Sequence, residues 1–281
     1  MLLVHYSMLG DTKFFCEVKM CLYPVKIKDP KYTDGDVHPP LEVACGKCLE
    51  CLQQRANEWA HRIVDECKQY SQNCFLTLTY NNENLPADKS VSRRDVQLFL
   101  KRLRKFLGED KIRYFACGEY GKKGLRPHYH IIVFGWYPDD CIFWEKEKNG
   151  FILYRSPCLE KLWKFGFSTV GNVTIDTAKY CAKYLQKLQK LSKDLTPPFT
   201  LMSLRPGIGF NSIRAEDLSC DRIYHNGKSV KLPRYYLKVL ERNGHDLTAF
   251  KERRQIVGKM KEKQTDLQAR RKKAYEFRKK Y

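Results

Sequence analysis

Between Phe75 and Leu191 the hydrophobic period switches repeatedly between two residues and about 3.6, and the order of those switches restricts the fold. Phe75–Tyr80 (FLTLTY) alternates and is rich in Thr and aromatics, as a half-buried strand is. A helix starts at Ser92, with Asp95 at the capping-box position and Val96, Phe99, Leu100, Leu103 and Leu107 on one face. Gly108 is its natural stop. Ile112–Cys117 and His128–Phe134 return to strand character across the turn-like GEYGKKGLRP, which predicts a hairpin. After an aromatic connection, Phe167–Val170 and Val173–Ile175 read as extended, and Thr177–Leu191 as a helix with Asp176 as N-cap. Strand, helix, hairpin, strand, helix in one block predicts an α+β fold, a central antiparallel sheet flanked by helices.

The flanks read differently. Residues 1–55 form a cysteine-rich segment broken by Pro24, Pro30, Gly35, Pro39 and Pro40. From Leu52 a helix is expected, with Ala56, Trp59, Ala60, Ile63 and Cys67 on one face. The core then spans 56–198 and ends at Pro197 and Pro198. Residues 199–250 read as an irregular extension with short strand-like pieces, and 251–281 as a basic helical tail.

Charge narrows the partner. Lys and Arg total 52 against 32 acidic residues, a formal net charge of +20. Such an excess favours a polyanion, because each phosphate contact releases a condensed counterion. Nucleic acid leads and an anionic membrane surface is second. No run approaches the roughly 18 apolar residues of a membrane helix, so no membrane partner is expected. Met1–Asp11 lacks a basic leader followed by a long apolar run, so no secretion signal is expected either. In a reducing cytoplasm, most of the twelve cysteines should be metal ligands or core thiols rather than disulfides.

His128 and His130 open the strand HYHIIVFG, and alternation puts both imidazoles on one face, where they can converge on a cation. Two histidines packed at a sheet edge are the plain alternative. Glu119 lies just before the turn; if the hairpin closes, its carboxylate completes a mixed nitrogen and oxygen site suited to Mg²⁺ or Mn²⁺. A solvated turn glutamate would look the same. Arg126, beside the pair, is a candidate phosphate contact or a solvated loop cation.

Tyr180 and Tyr184 stand four apart in AKYCAKYLQK and share a helix face with Lys183 and Lys187, away from the apolar stripe Ala178, Cys181, Ala182, Leu185 and Leu188. A core role is thereby weakened, although amphipathic surface tyrosines remain the simpler explanation if the pair stood alone. Phenol attacks poorly at its usual pKa of about 10, so nearby lysines or a cation must favour the phenolate. A metal on the scissile phosphate would assist.

Cys45, Cys48 and Cys51 form C-x2-C-x2-C, with Cys21 upstream and Cys16 as a substitute. Four thiolates can bind structural Zn²⁺ and pin a segment poor in apolar residues. An iron–sulfur cluster is the rival, but the usual fourth cysteine of that run falls at Arg55. Reduced, partly buried thiols are the plain alternative.

FLTLTY, then GEYG with RPHYH, then YCAKY occur in the order of the three motifs of HUH-type replication initiators, and the chain resembles most the initiators of gokushovirus-like microviruses. CGKCLEC with Arg55 and Trp59, PGIG at Pro206–Gly209 and LPRYY at Leu232–Tyr236 extend the likeness from about Cys21 to Glu241. The resemblance implies His128, His130 and, as third ligand, Glu119 around a divalent metal, with Tyr180 and Tyr184 as nucleophiles and Lys183 beside them. It implies nicking and rejoining of single-stranded origin DNA in a host bacterial cytoplasm, through a 5′-phosphotyrosine. A host polymerase would extend the freed strand. No G-x-x-x-x-G-K-[ST] loop is present, so a host helicase is the expected unwinding partner. The competing expectations are a related HUH transposase or plasmid initiator, and a noncatalytic nucleic-acid-binding protein.

Overall fold

The computed structural model describes residues 21–28, 33, 37–121, 124–147, 150–183, 194–213, 222–225 and 228–262, with 269, 271, 272 and 275 beyond them. Val25–Ile27 (β1) and Leu41–Val43 (β2) pair as a small antiparallel ribbon ahead of a long helix, Leu49–Cys67 (α1). Asn73–Tyr80 (β3) and Arg93–Leu107 (α2) follow, then the hairpin Arg113–Tyr120 (β4) and Pro127–Phe134 (β5). A second hairpin, Ile142–Lys146 (β6) and Ile152–Arg155 (β7), leads through Pro157–Leu162 (α3) to Gly166–Gly171 (β8). Ile175–Lys183 (α4) and Phe199–Met202 (β9) come next. Arg222–His225 (β10) and Lys228–Lys231 (β11) make a second ribbon, and Arg234–Arg242 (α5) and Thr248–Glu262 (α6) end the described elements.

Among the described residues, the main sheet has seven strands in the order β6-β7-β8-β3-β5-β4-β9, antiparallel throughout. Period-two alternation divides its side chains between two cores. Leu76, Leu78, Ala116, Tyr129, Ile131 and Val133 bury against α2 and α3. Phe75, Phe115, Cys117, Ile132 and Phe134 bury on the opposite face, against Ala60 and Ile63 of α1 and Ala178 and Cys181 of α4. The sheet is thus flanked by helices on both faces, as the alternation of strand and helix signals predicts.

Local signals explain the helices. The Ser92 side chain accepts a hydrogen bond from the Asp95 backbone N–H at 3.1 Å, and Gly108 ends α2 at φ 66°. Val96, Phe99, Leu100 and Leu103 are almost completely buried, which contributes roughly 1.5–3 kcal/mol per large side chain. For α4 the expected Asp176 cap is corrected. Thr174 Oγ1 accepts from the Thr177 N–H at 3.1 Å, Thr177 Oγ1 accepts from the Thr174 N–H at 2.8 Å, and the helix starts at Ile175. Val173–Ile175 is therefore not a strand, because these β-branched residues feed a reciprocal threonine cap. The predicted continuation to Leu191 lies outside the described residues after Lys183.

Two regions carry more structure than their sequence signals. The aromatic connection holds β6, β7 and α3; β6 is exposed along its whole length, so no buried face imposes a readable alternation. In the extension, Phe199–Met202 pairs with β4 as an edge strand, and α5 buries Tyr236, Leu237, Val239 and Leu240.

The PGIG and LPRYY signatures meet on α1. Glu66 pairs with Arg113 at 2.7 Å and accepts from the Gly209 N–H at 2.6 Å. The Tyr236 hydroxyl donates to Asp65 at 2.8 Å, and Arg62, stacked between Trp59 and Tyr235, donates to the Ile208 carbonyl at 3.0 Å. Each of these buried charges has a partner, as burial demands. The clamp fixes α1, and α1 in turn backs α4.

Candidate metal centre and nucleophile

The register of β4 and β5 places Glu119 directly opposite His128, and Cys117 opposite His130. Glu119, His128 and His130 therefore project from one face, at the end of the sheet. Oε1 of Glu119 lies 3.0 Å from Nε2 of His128 and 3.0 Å from Nε2 of His130. The carboxylate is 2% exposed, so these contacts are shielded from bulk water. Burial pushes its pKa up, but the hydrogen bonds and charge of His128 and His130 outweigh that and hold it at about 2.

A neighbouring glycine makes room. A β-carbon on Gly118 would lie 2.9 Å from the Phe199 ring and 3.1 Å from that of Tyr129, too close for either. Glycine in GEYG thus lets β9 and Tyr129 pack tightly beside the Glu119 position.

The far nitrogens of the imidazoles decide what this trio can hold. Nδ1 of His128 lies 3.1 Å from the Arg126 carbonyl, which can only accept, so Nδ1 carries the proton. A neutral His128 then turns a lone pair at Nε2 toward a carboxylate oxygen. Two such acceptors at 3.0 Å repel unless a proton or a cation lies between them. Nδ1 of His130 meets the Thr77 hydroxyl at 3.1 Å, a second outer contact that orients a ring. Two nitrogens, a buried carboxylate and their outer partners fit a divalent cation, with all three ligand atoms within 4.8 Å of one another.

Tyr180 comes from α4, on the side away from buried Ala178, Cys181 and Ala182. Its ring stands edge-on to His130, centroids 5.0 Å apart, and its hydroxyl donates to Glu119 Oε1 at 3.3 Å. It nevertheless remains 40% exposed and so reachable by a polymer. Lys183 is the last described residue of α4, three positions on; Tyr184 and Lys187 lie outside the described residues.

Arg126 is held rather than free-swinging. It donates to the Tyr80 carbonyl at 2.9 Å and to Asn82 Oδ1 at 2.5 Å. With Thr79, Asn81, Asn82 and Phe167 it lines a shallow recess beside the histidines. Sequence reading missed Thr77 and Phe167. Both lie on the same face as the histidines: Thr77 pairs with His130, and Phe167 with Thr79, itself opposite His128. The 58% exposure of Phe167, an aromatic on a central strand, sets it apart. The four-cysteine group also assembles, with all four sulfurs within 4.8 Å of one another, while Cys16 lies outside the described residues.

Comparison with known proteins agrees with this geometry. Residues 73–189, which hold β3 through α4 and so the whole trio with Tyr180, match the family of replication-associated protein ORF2. The chain is 34% identical over 213 residues to replication-associated protein ORF4 of Chlamydia phage 1, covering 70% of this chain and 53% of that one. It is 33% identical over 213 residues to replication-associated protein VP4 of Bdellovibrio phage phiMH2K, covering 71% and 67%. Over 279 residues it is 32% identical to replication-associated protein ORF2 of Spiroplasma virus 4, covering 85% and 87%. The match thus spans about half the length of the Chlamydia phage relative. No solved structure matches. The chain is a phage replication-associated protein by class, and within that class it belongs to the microvirus replication-initiator family.

Proposed function

We propose that this chain nicks and rejoins single-stranded DNA at a replication origin, using Tyr180 as nucleophile and Mg²⁺ or Mn²⁺ held by Glu119, His128 and His130. One observation carries the reading: the Tyr180 hydroxyl reaches the same Glu119 oxygen, at 3.3 Å, on which both histidine nitrogens converge at 3.0 Å. When bound, the ion supplies Lewis acidity toward a phosphate oxygen.

The chain's residues position and react. Tyr180 Oη attacks phosphorus and loses its proton to water as the O–P bond forms. The bond from phosphorus to the 3′ oxygen breaks, and that oxygen takes up a proton. The products are a 5′-phosphotyrosine and a free 3′-hydroxyl, which a host polymerase extends. Lys183, three residues along the helix, adds positive charge that favours the phenolate. Tyr184 is the candidate for the second cut and rejoining, and Lys187 for a phosphate contact. The net charge of +20 supplies the general attraction for DNA. Phe167 offers a face on which an unpaired base can stack, next to the recess lined by Arg126 and Asn82. Duplex unwinding falls to a host helicase.

Labelled single-stranded DNA carrying the origin, incubated with the protein and Mn²⁺, tests the reading on a denaturing gel. The expected product is a covalent protein–DNA adduct that disappears with chelator and with Tyr180→Phe plus Tyr184→Phe. Tight, chelator-insensitive binding with no adduct would establish a noncatalytic DNA-binding protein instead.

A further inference from the structure

We propose that Cys21, Cys45, Cys48 and Cys51 hold a structural Zn²⁺ that clamps the β1–β2 ribbon to the start of α1. The sulfur geometry leads to this. Cys48 Sγ lies 3.4 Å from Cys51 Sγ and 3.8 Å from Cys21 Sγ, and Cys45 Sγ lies 4.0 Å from Cys51 Sγ. A disulfide needs about 2.0 Å, so none of these contacts is one. In a tetrahedron with Zn–S bonds of about 2.3 Å, the sulfurs stand about 3.8 Å apart. The observed separations bracket that value.

The surroundings suit anionic sulfur. The Cys45 N–H donates to Cys21 Sγ at 3.2 Å, and the Cys48 N–H donates to Cys45 Sγ at 3.3 Å. Such N–H donors around ligating sulfurs orient them and spread their charge. Cys48 is the N-cap of the 19-residue α1 and Cys51 sits in its first turn, where the positive end of the helix dipole favours thiolates. Gly46 takes φ 73°, the left-handed conformation that turns Cys45 back toward Cys48. The ribbon itself gives a cation something to do. All of Val25–Ile27 and most of Leu41–Val43 is exposed, so little apolar burial holds β1 and β2 in place. Leu22, beside Cys21, is 1% exposed, and its carbonyl accepts from Arg271 at 3.0 Å, so the knuckle also seats a residue of the basic tail.

The trio of Glu119, His128 and His130 could also take up zinc, so the experiment separates the two sites. The full chain, expressed with zinc in the medium and dialysed against a mild chelator, is analysed for metal in three forms. These are wild type, His128→Ala/His130→Ala, and Cys45→Ser. One zinc per chain in wild type and in the histidine variant, lost in Cys45→Ser, is the expected pattern. Zinc released in step with modification of the cysteines by a mercurial, and thiolate-to-metal charge transfer on replacement by Co²⁺, identify sulfur as the donor even if Cys45→Ser fails to fold. Wild type without zinc, zinc that disappears with the histidines, or iron with acid-labile sulfide in place of zinc would each overturn the proposal. These readings do not depend on nicking, so they stand or fall apart from the nuclease reading.

Discussion

The chain carries two ligand clusters built on opposite plans. Glu119, His128 and His130 are nitrogen and oxygen donors on two paired strands of the main sheet, with the half-exposed Tyr180 beside them. The four cysteines are soft donors on a loop and a helix start, and their ring of sulfurs closes on itself. Three protein ligands leave a cation positions for phosphate oxygens, whereas four thiolates leave none. The rigid sheet suits chemistry that tolerates little misplacement. The loop-built knuckle suits a cation that substitutes for a missing core. Donor type and scaffold thus give the two clusters separate duties, one reactive and one structural.

The widest separation should come from His128→Ala with His130→Ala. Nicking of origin DNA is expected to fall by about 10³-fold or more, since Lewis-acid assistance supplies several kcal/mol. Near-normal cutting by that variant would remove the metal centre from the mechanism. Cys45→Ser should do the reverse. Loss of the knuckle, taken as about 3 kcal/mol, lowers the midpoint of thermal unfolding by roughly 6–12 °C. Nicking at low temperature should largely survive, because β3–β5 do not pass through the knuckle. An unchanged melting curve would show that the cysteines stabilise nothing.

A finer cut is Thr77→Val, which removes the hydroxyl facing His130 Nδ1 and leaves the β-branched strand residue in place. Outer-shell losses cost about 10–100-fold in metal affinity. The Mn²⁺ concentration giving half-maximal nicking should rise accordingly, with zinc content unaltered. An unshifted Mn²⁺ titration would mean that Thr77 does not orient the ring. The smallest effect is expected from Phe167→Ala. Fluorescence anisotropy should report single-stranded DNA binding weakened by about 1–3 kcal/mol, the worth of one stacked base. Equal affinity would place the strand's path elsewhere.

Sequence and tertiary structure contribute differently to the two clusters. The histidine pair was legible because strand alternation puts residues two apart on one face, a rule that needs no knowledge of neighbouring strands. The orientation of Tyr180 was legible for a similar reason, since the helical period sets it off from Ala178, Cys181 and Ala182. The Ser92 cap followed from local chemistry as well. The Thr174–Thr177 cap did not, because Asp176 competes on equal terms in the sequence and only the folded backbone selects. The exposed β6 and the edge strand β9 bury too little for their residue patterns to announce them.

From the sequence alone come the fold class, the strand that bears the histidines, the helix that bears Tyr180, and a charge suited to a polyanion. These depend on local periodicity and on composition. Tertiary structure alone decides that Glu119 stands opposite His128, that Thr77 and the Arg126 carbonyl hold the outer nitrogens, and that Phe167 opens beside the recess. It also decides that Cys21 joins three cysteines more than twenty residues away. Those facts depend on strand register and chain closure, which are set by the packing of the whole sheet and have no signature in any short stretch of sequence.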